Sequence, residues 1–328
     1  MGLKRVMLIH NPGAGDDRQP TASQLKALVK EAGFNVSYLS TKEKDWEKAI
    51  QRDVDMVAVA GGDGTVSKVA KRLIESNVPI GVLPMGTANN IAKTLGIQDL
   101  SITQLIPSWK SARRLKFDAG IARGPWGKQY FIEGAGLGLL TSAMPKVSKN
   151  KTLATLEDTE VKVSYAQQLF REHLLDAPAI EIEAMLDGKD ISGSYLLLEV
   201  LNIQYIGPNL LLAPNLARNS GEFEVVLISA KHRKKLHSHI KHWQDGKRVP
   251  PRFDTHRGRC LTMQWSGYDL HFDDRIWPLK EKKKLQAPAA IELKVVPNAS
   301  RFLVPATIHD LQNLARENTG KKFKKHGV

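Results

Sequence analysis

The stretch Met56-Val57-Ala58-Val59-Ala60-Gly61-Gly62-Asp63-Gly64-Thr65 decides the fold of this chain. Five apolar residues in a row read as a buried strand. The Gly-Gly-Asp-Gly-Thr turn then opens a helix in which Val66, Val69, Ala70, Leu73 and Ile74 recur at helical spacing. Strand, glycine turn and helix in succession form a phosphate-binding layout. Glycines let backbone N–H groups approach an anion closely, and a helix N-terminus adds partial positive charge. The competing reading is a tight turn with no ligand, and it leaves Asp63 between two glycines with no evident packing purpose.

The same alternation continues on both sides. Arg5 to His10 reads as a first buried strand, followed by the turn Asn11-Pro12-Gly13-Ala14-Gly15. Thr21 caps a helix with Leu25, Leu28, Val29 and Ala32 on one face, and Gly33 ends it. Asn35 to Leu39 is a second strand, with Ser40 and Thr41 just beyond it and a shorter helix around Glu43 to Gln51. After the central turn, Pro79 to Leu83 is a fourth strand. Pro84-Met85-Gly86-Thr87 then turns into a helix with Ile91, Ala92 and Leu95 inward and Gly96 as its stop. Such alternation predicts a parallel, doubly wound sheet, whose ligands sit at the carboxyl ends of the strands. Gly15, Thr41, Asp63 and Thr87 all fall just after strands, so they share one edge.

Near Arg113 the pattern changes to strand-like runs: Leu115 to Ala122, Gln129 to Ala135, Ala179 to Leu186, Ser194 to Ile203, Phe223 to Ser229, Cys260 to Trp265 and Ile291 to Val296. This succession predicts an antiparallel sandwich or barrel. One helix, Glu157 to Leu175, interrupts it, and Thr307 to Asn318 reads as a last amphipathic helix. The domain boundary is placed near Phe117.

The 328 residues suffice for two domains with real cores, and 42% hydrophobic with 25% charged content is a globular balance. A single cysteine, Cys260, excludes an intramolecular disulfide and a cysteine zinc site. The first residues do not read as a signal peptide, and no run is long and apolar enough to span a bilayer. The net charge of +14, from 48 basic and 34 acidic residues, favours anionic partners such as nucleotides or anionic lipid surfaces. With 6% aromatics and no aromatic–basic interleaving, a dedicated single-strand nucleic-acid binder is disfavoured. Lys280, Lys282, Lys283 and Lys284, and the tail lysines Lys321, Lys322, Lys324 and Lys325, read either as docking groups for anionic lipid or as solvated surface. Lys231 to His242, with four histidines, reads as a solvated basic helix.

Asn11 to Gly15, Gly61 to Thr65, Leu83-Pro84-Met85-Gly86-Thr87-Ala88-Asn89-Asn90 and Asp118 together resemble the diacylglycerol kinase catalytic-domain superfamily, which includes bacterial lipid kinases and sphingosine and ceramide kinases. Gly207, Leu212-Ala213-Pro214 and Phe272-Asp273-Asp274 resemble pieces of the family's second domain. The resemblance implies an α/β phosphofructokinase-like nucleotide-binding domain over residues 1–117 and a mainly antiparallel β-sandwich domain over 118–304 that takes the lipid. It also implies that the tail, 305–328, packs back on the first domain. The implied activity is transfer of the ATP γ-phosphate, with Mg²⁺, to a lipid hydroxyl. Gly61, Gly62, Asp63, Gly64, Thr65, Val66 and Ser67 would hold the phosphates, with Asn11, Thr41 and Thr87 completing the nucleotide site. Asp63 would orient metal or acceptor, and Asp118 is a second candidate metal ligand. Alone, Thr41 and Thr87 are more often helix caps than ligands, and Asp118 more often a structural acid. The expected setting is cytoplasmic, at an anionic membrane surface, with no nucleic acid.

Three departures limit the resemblance. The family's Asn-Asp is Asn89-Asn90 here. Its acidic stretch after Ala-Pro, which binds a structural Mg²⁺ in bacterial members, reads Asn215-Leu216-Ala217-Arg218-Asn219-Ser220-Gly221, a poor donor set for a hard cation. Its late Asp-Gly-Glu, carrying the general base, reads Asp273-Asp274-Arg275. Aligned without a gap, the base position is Arg275, which cannot accept a proton. Shifted by one, Asp274 takes the role with a shorter side chain. Two readings therefore stay open, an atypical lipid kinase and a nucleotide-binding relative without turnover. NAD kinase, which shares the Gly-Gly-Asp-Gly-Thr turn, is the third.

Overall fold

The computed structural model describes residues 4–16, 18–50, 53–247, 253–278 and 287–306. Strands β1 (Arg5–His10), β2 (Asn35–Ser40), β3 (Met56–Gly61) and β4 (Ile80–Pro84) run parallel in the order β2-β1-β3-β4. All six residues of β3 are buried, as its unbroken apolar run requires of a strand covered on both faces. Helices α1 (Ala22–Glu31), α2 (Asp63–Arg72), α3 (Asn90–Leu95) and α4 (Ile102–Ser108) accompany these strands. Thr21 caps α1 in a reciprocal box with Gln24, and Gly96 stops α3 in the left-handed conformation, φ 75°. The helix expected over Glu43 to Gln51 is one 3₁₀ turn, Trp46–Ala49. That segment has two large apolar groups to bury, Trp46 and Ile50, and a single turn places both in the core.

Strand β5 (Arg113–Gly124) continues without interruption through the expected boundary at 117/118. The strand Ala289–Val304 pairs antiparallel with it over most of its length and parallel with β4 at Phe302 and Ile80. This late strand thus carries the chain back onto the first sheet. Phe117 and Phe302 meet edge to face at 5.1 Å in the core they share. The result is one mixed ten-stranded sheet and a separate seven-stranded antiparallel sheet. In the latter, Gly134–Gly138, Gly193–Leu201, Phe223–Ser229 and the hairpin Leu270–Phe272/Arg275–Trp277 are neighbours. A single apolar cluster joins side chains of both sheets, among them Phe131, Phe223, Leu261 and Leu293, so the antiparallel parts form a sandwich.

A further apolar cluster covers the outer face of the second sheet. It draws on α5 (Leu139–Ser148), α7 (Thr159–Asp176) and α8 (Arg233–Gln244), with the short α6 (Lys151–Thr155) packed against α7. Helix α7 matches the helix expected at Glu157 to Leu175, with Asp158 as its cap. Helix α5 has no clear sequence signal, since Pro145 lies inside it and the run follows a strand of glycines. The expected last helix at 307–318, the tail beyond 306 and the lysines at 280–284 and 321–325 lie outside the described residues.

Candidate active site

The parallel strand ends assemble one edge from four turns. Asn11 N–H donates to Ala60 O (2.9 Å), Thr41 N–H to His10 O (2.9 Å) and Met85 N–H to Gly61 O (3.1 Å). Asn11, Thr41 and the glycine turn are therefore side by side, as the strand order requires. Helix α2 starts at Asp63 with Gly62 as its cap residue, so no capping side chain occupies its first N–H groups. The Asn11 amide also donates to Thr65 Oγ1 at 3.4 Å.

These turns are packed to backbone contact. A Cβ at Gly86 would lie 2.4 Å from Gly62 Cα, and one at Gly15, where φ is +78°, 2.4 Å from Met85 O. Neither neighbour is a flexible side-chain end that can swing aside. Gly86→Ala is expected to part the two turns, lowering stability by about 1–3 kcal/mol. Thermal melting checks the effect.

Asp63 acquires a packing purpose that sequence did not reveal. Its carboxylate oxygens accept the N–H groups of Asn90 and Ile91, each at 2.9 Å, and so cap α3 from another turn. The cap residue of α3, Asn89, is left-handed (φ 52°) and spends its own amide on Gly86. Burial pushes the Asp63 carboxyl up, against the pull of those two N–H groups and of Lys93. Asn90, where the family has Asp, donates its amide to Gly207 O at 2.9 Å across to the second sheet's loops. A carboxylate has no hydrogen to donate there.

The late acidic motif forms the two-residue turn of the hairpin Leu270–Phe272/Arg275–Trp277. Its residues divide in role. Asp273 is buried and left-handed (φ 54°). It accepts the N–H groups of Ile132 (2.9 Å) and Glu133 (2.8 Å) and the ammonium of Lys71 from α2 (2.7 Å). Asp274 is exposed at the tip and lies against the glycine turn, its Oδ2 2.9 Å from where a Gly64 Cβ would stand. Arg275 is exposed at the start of the returning strand. A one-residue shift along a strand would turn Asp274 away. At a turn it does not, and the hairpin delivers this carboxylate to the first turn of α2.

Two further groups were missed by the sequence reading. Glu133, 7% exposed, accepts the Ser67 hydroxyl at 3.0 Å. Burial first, then Asp63, Asp273 and Asp274, push its carboxyl well above the ordinary 4.5. A native state that holds its proton more tightly loses stability as pH rises from the ordinary value through the raised one. Glu133→Gln keeps an acceptor for Ser67 and removes the charge. It is expected to match the wild type at about pH 4 and to melt higher at about pH 8, each tenfold rise in proton affinity being worth about 1.4 kcal/mol. Thermal melts at the two pH values decide. Beneath the hairpin turn, His271 Nε2 meets Glu199 Oε2 at 2.8 Å, and His271 Nδ1 lies 3.1 Å from Asp273 O. The one sequence signal for Glu133 and Glu199 is a lone acid within an otherwise apolar or glycine run.

Asp118 stands apart from this edge. Its carboxylate accepts Gly221 N–H (2.8 Å) and Asn298 N–H (2.7 Å), which ties the 215–221 loop to the bend in the last strand. Burial raises its carboxyl, against those two bonds. Among the described residues no group of three or more His, Cys, Asp or Glu side chains is arranged to hold a metal ion. An apolar cavity of about 380 Å³ is lined by Thr87 and Ala88 and, from α5 and α7, by Leu140, Met144, Val147, Ala166 and Phe170. Among the described residues no helix is long and apolar enough to cross a membrane.

Known proteins similar to this chain include diacylglycerol kinases. Residues 5–121 match the diacylglycerol kinase catalytic domain. The diacylglycerol kinase of Bacillus subtilis (strain 168) is 29% identical over 235 residues, covering 69% of this chain and 74% of that one. The diacylglycerol kinase of Staphylococcus carnosus (strain TM300) is 27% identical over 195 residues, covering 52% of this chain and 62% of that one. In fold, the chain is similar to the crystal structure of a diacylglycerol kinase from Bacillus anthracis strain Sterne. The TM-score is 0.72 at 20% identity, over 94% of this chain and 99% of the other. In sequence the chain is thus similar to the diacylglycerol kinase catalytic-domain superfamily, most directly through residues 5–121.

Proposed function

We propose that this chain is an ATP-dependent lipid kinase that transfers the γ-phosphate to a lipid hydroxyl. One observation carries the reading: the cap-free start of α2, the Asp274 carboxylate and the Thr87 wall of an apolar cavity lie along a single edge. Residues 1–117 are then a phosphofructokinase-like nucleotide domain and 118–304 the lipid domain. The turn from Gly61 to Ser67 receives the phosphates at the start of α2, and Asn11, Thr41 and Thr87 flank them. Asp63 acts by bracing α3 and with it the Gly86–Thr87 turn.

The apolar cavity takes acyl chain, and the acceptor hydroxyl is held at its mouth near Thr87. Asp274 takes the hydroxyl proton while the oxygen attacks the γ-phosphorus and ADP leaves. Phosphoryl transfer asks chiefly for such positioning and for charge stabilisation. Mg²⁺ bound with the nucleotide would neutralise phosphate charge, with Asp63 and Asp274 the nearest carboxylates of the turn. The net charge of +14 suits approach to an anionic membrane surface from the cytoplasm.

The test is incubation of purified protein with γ-labelled ATP and total lipid extract, beside the Asp63→Ala variant. Label in lipid from the wild type is expected. Asp63→Ala is expected to abolish it and, through loss of the α3 cap, to lower stability by about 1 kcal/mol. ATP binding without label in any lipid would favour the non-catalytic reading that Arg275 suggests, and full activity in Asp63→Ala would remove Asp63 from the site.

A further inference from the structure

The apolar chamber is only part of the space beside Thr87. Thr87 and Val163 also line a larger cavity of about 1030 Å³, so the two share a wall. The larger one lies between the Gly86–Lys93 turn, helix α7, the 205–211 loop and the end of α8. It begins at Gly86, whose backbone touches Gly62 of the phosphate turn. A bare glycerol hydroxyl needs a small fraction of that volume.

The walls name the chemistry that fits. Carboxamides of Asn89, Gln167 and Gln244 line the cavity, and each is already fixed by a backbone bond. Gln167 donates to Pro208 O (2.8 Å), Gln244 to Ser164 O (3.0 Å) and Asn89 to Gly86 O (2.8 Å). Fixed amides lose little freedom when a ligand hydroxyl bonds to them. Beside them the half-buried ring of Trp243 stands 6.1 Å from Tyr205, giving an aromatic wall for the C–H face of a ring. Among the described residues the charged groups on the lining are one base, Lys93, and two acids, Asp99 and Glu160. That balance disfavours a phosphate or other anionic headgroup. Amides, an indole and no surplus positive charge suit an uncharged polyhydroxyl ring.

We infer that the acceptor is a lipid with a neutral polyhydroxyl headgroup of glycosyl type, its ring against Trp243 and its chains in the chamber between α5 and α7. The inference rests on the lipid-kinase reading but is tested apart from turnover. Binding of n-octyl β-D-glucoside and of 1-O-octylglycerol, which share a chain length and differ in the head, is measured by calorimetry below their micellar concentrations. The glucoside is expected to bind about tenfold tighter or more, and Trp243→Ala to remove most of that difference. Gln244→Ala, a smaller change at the helix end, guards against a Trp243 variant that fails to fold, and is expected to narrow the gap as well. Equal affinities in the wild type, or a difference that survives both substitutions, overturn the inference. A companion kinase assay compares glucosyl-diacylglycerol with diacylglycerol as acceptors. Absence of label in both, with glucoside binding intact, counts against the kinase reading and leaves the headgroup site standing.

Discussion

Glu199→Ala is expected to destabilise the protein by about 3–5 kcal/mol, because it strands a histidine in a fully buried place. Glu199 and His271 are both 0% exposed, and a Cβ at Gly136 would fall 2.4 Å from the Glu199 carboxylate. The ring nitrogens of His271 face two acceptors, Glu199 Oε2 at 2.8 Å and Asp273 O at 3.1 Å. The pair satisfies both only by holding one proton more than a neutral imidazole beside a carboxylate. Burial alone lowers the proton affinity of His271, but Glu199 and Asp273 outweigh it and the net displacement is upward from 6.5. A raised histidine contributes stability that is complete below the unfolded value of 6.5 and is lost as pH climbs through the folded value. The penalty of Glu199→Ala is therefore larger at about pH 6 than at about pH 9. Urea unfolding at both pH values measures it. Glu199→Gln, which keeps a hydrogen-bonding group against Nε2, is expected to lose less. Equal stability of Glu199→Ala and wild type at about pH 6 would show that the pair carries no net stabilisation.

Asp274→Asn is expected to reduce kcat by about 10²–10⁴-fold while leaving ATP affinity and melting temperature near the wild-type values. The amide has the size of the carboxylate but cannot take a proton. Because Asp274 is exposed at a hairpin tip, its neutralisation removes little from the fold. Asp273→Asn is the contrasting control. It removes the partner of Lys71 (2.7 Å) from a wholly buried side chain that also holds two backbone N–H groups, so it is expected to unfold more readily. Steady-state kinetics with labelled ATP, together with melts of both variants, separate the two roles. Unchanged kcat in Asp274→Asn would move the proton acceptor elsewhere in the cluster, with Glu133 the next carboxyl to substitute.

Much of the first sheet was legible because its signals are local. The run Met56 to Ala60 can only be a covered strand, and Thr21 and Gly96 mark helix ends by chemistry confined to a few neighbouring residues. Phe223–Ser229 and Cys260–Trp265 were read to the residue for the same reason. Helix α5 was not, since a glycine strand and Pro145 mask its periodicity. The pairing of Ala289–Val304 with β5 and with β4 is a long-range event that no window of sequence contains.

The site divides along the same line. By itself the sequence determined that turns bearing Asn11, Thr41, Gly61 to Thr65 and Thr87 share one strand edge, because a parallel sheet with one turn after each strand puts them there. Tertiary structure decided what each acid does. Asp63 caps α3, Asp273 pairs with Lys71, and Asp274 alone reaches the glycine turn in the open. It also brought Glu133 to Ser67, across 66 positions of sequence. The physical reason is that a carboxylate's role depends on the N–H groups, cations and solvent around it. Those neighbours are supplied by chain segments far apart in sequence and meet only when the two sheets close on each other.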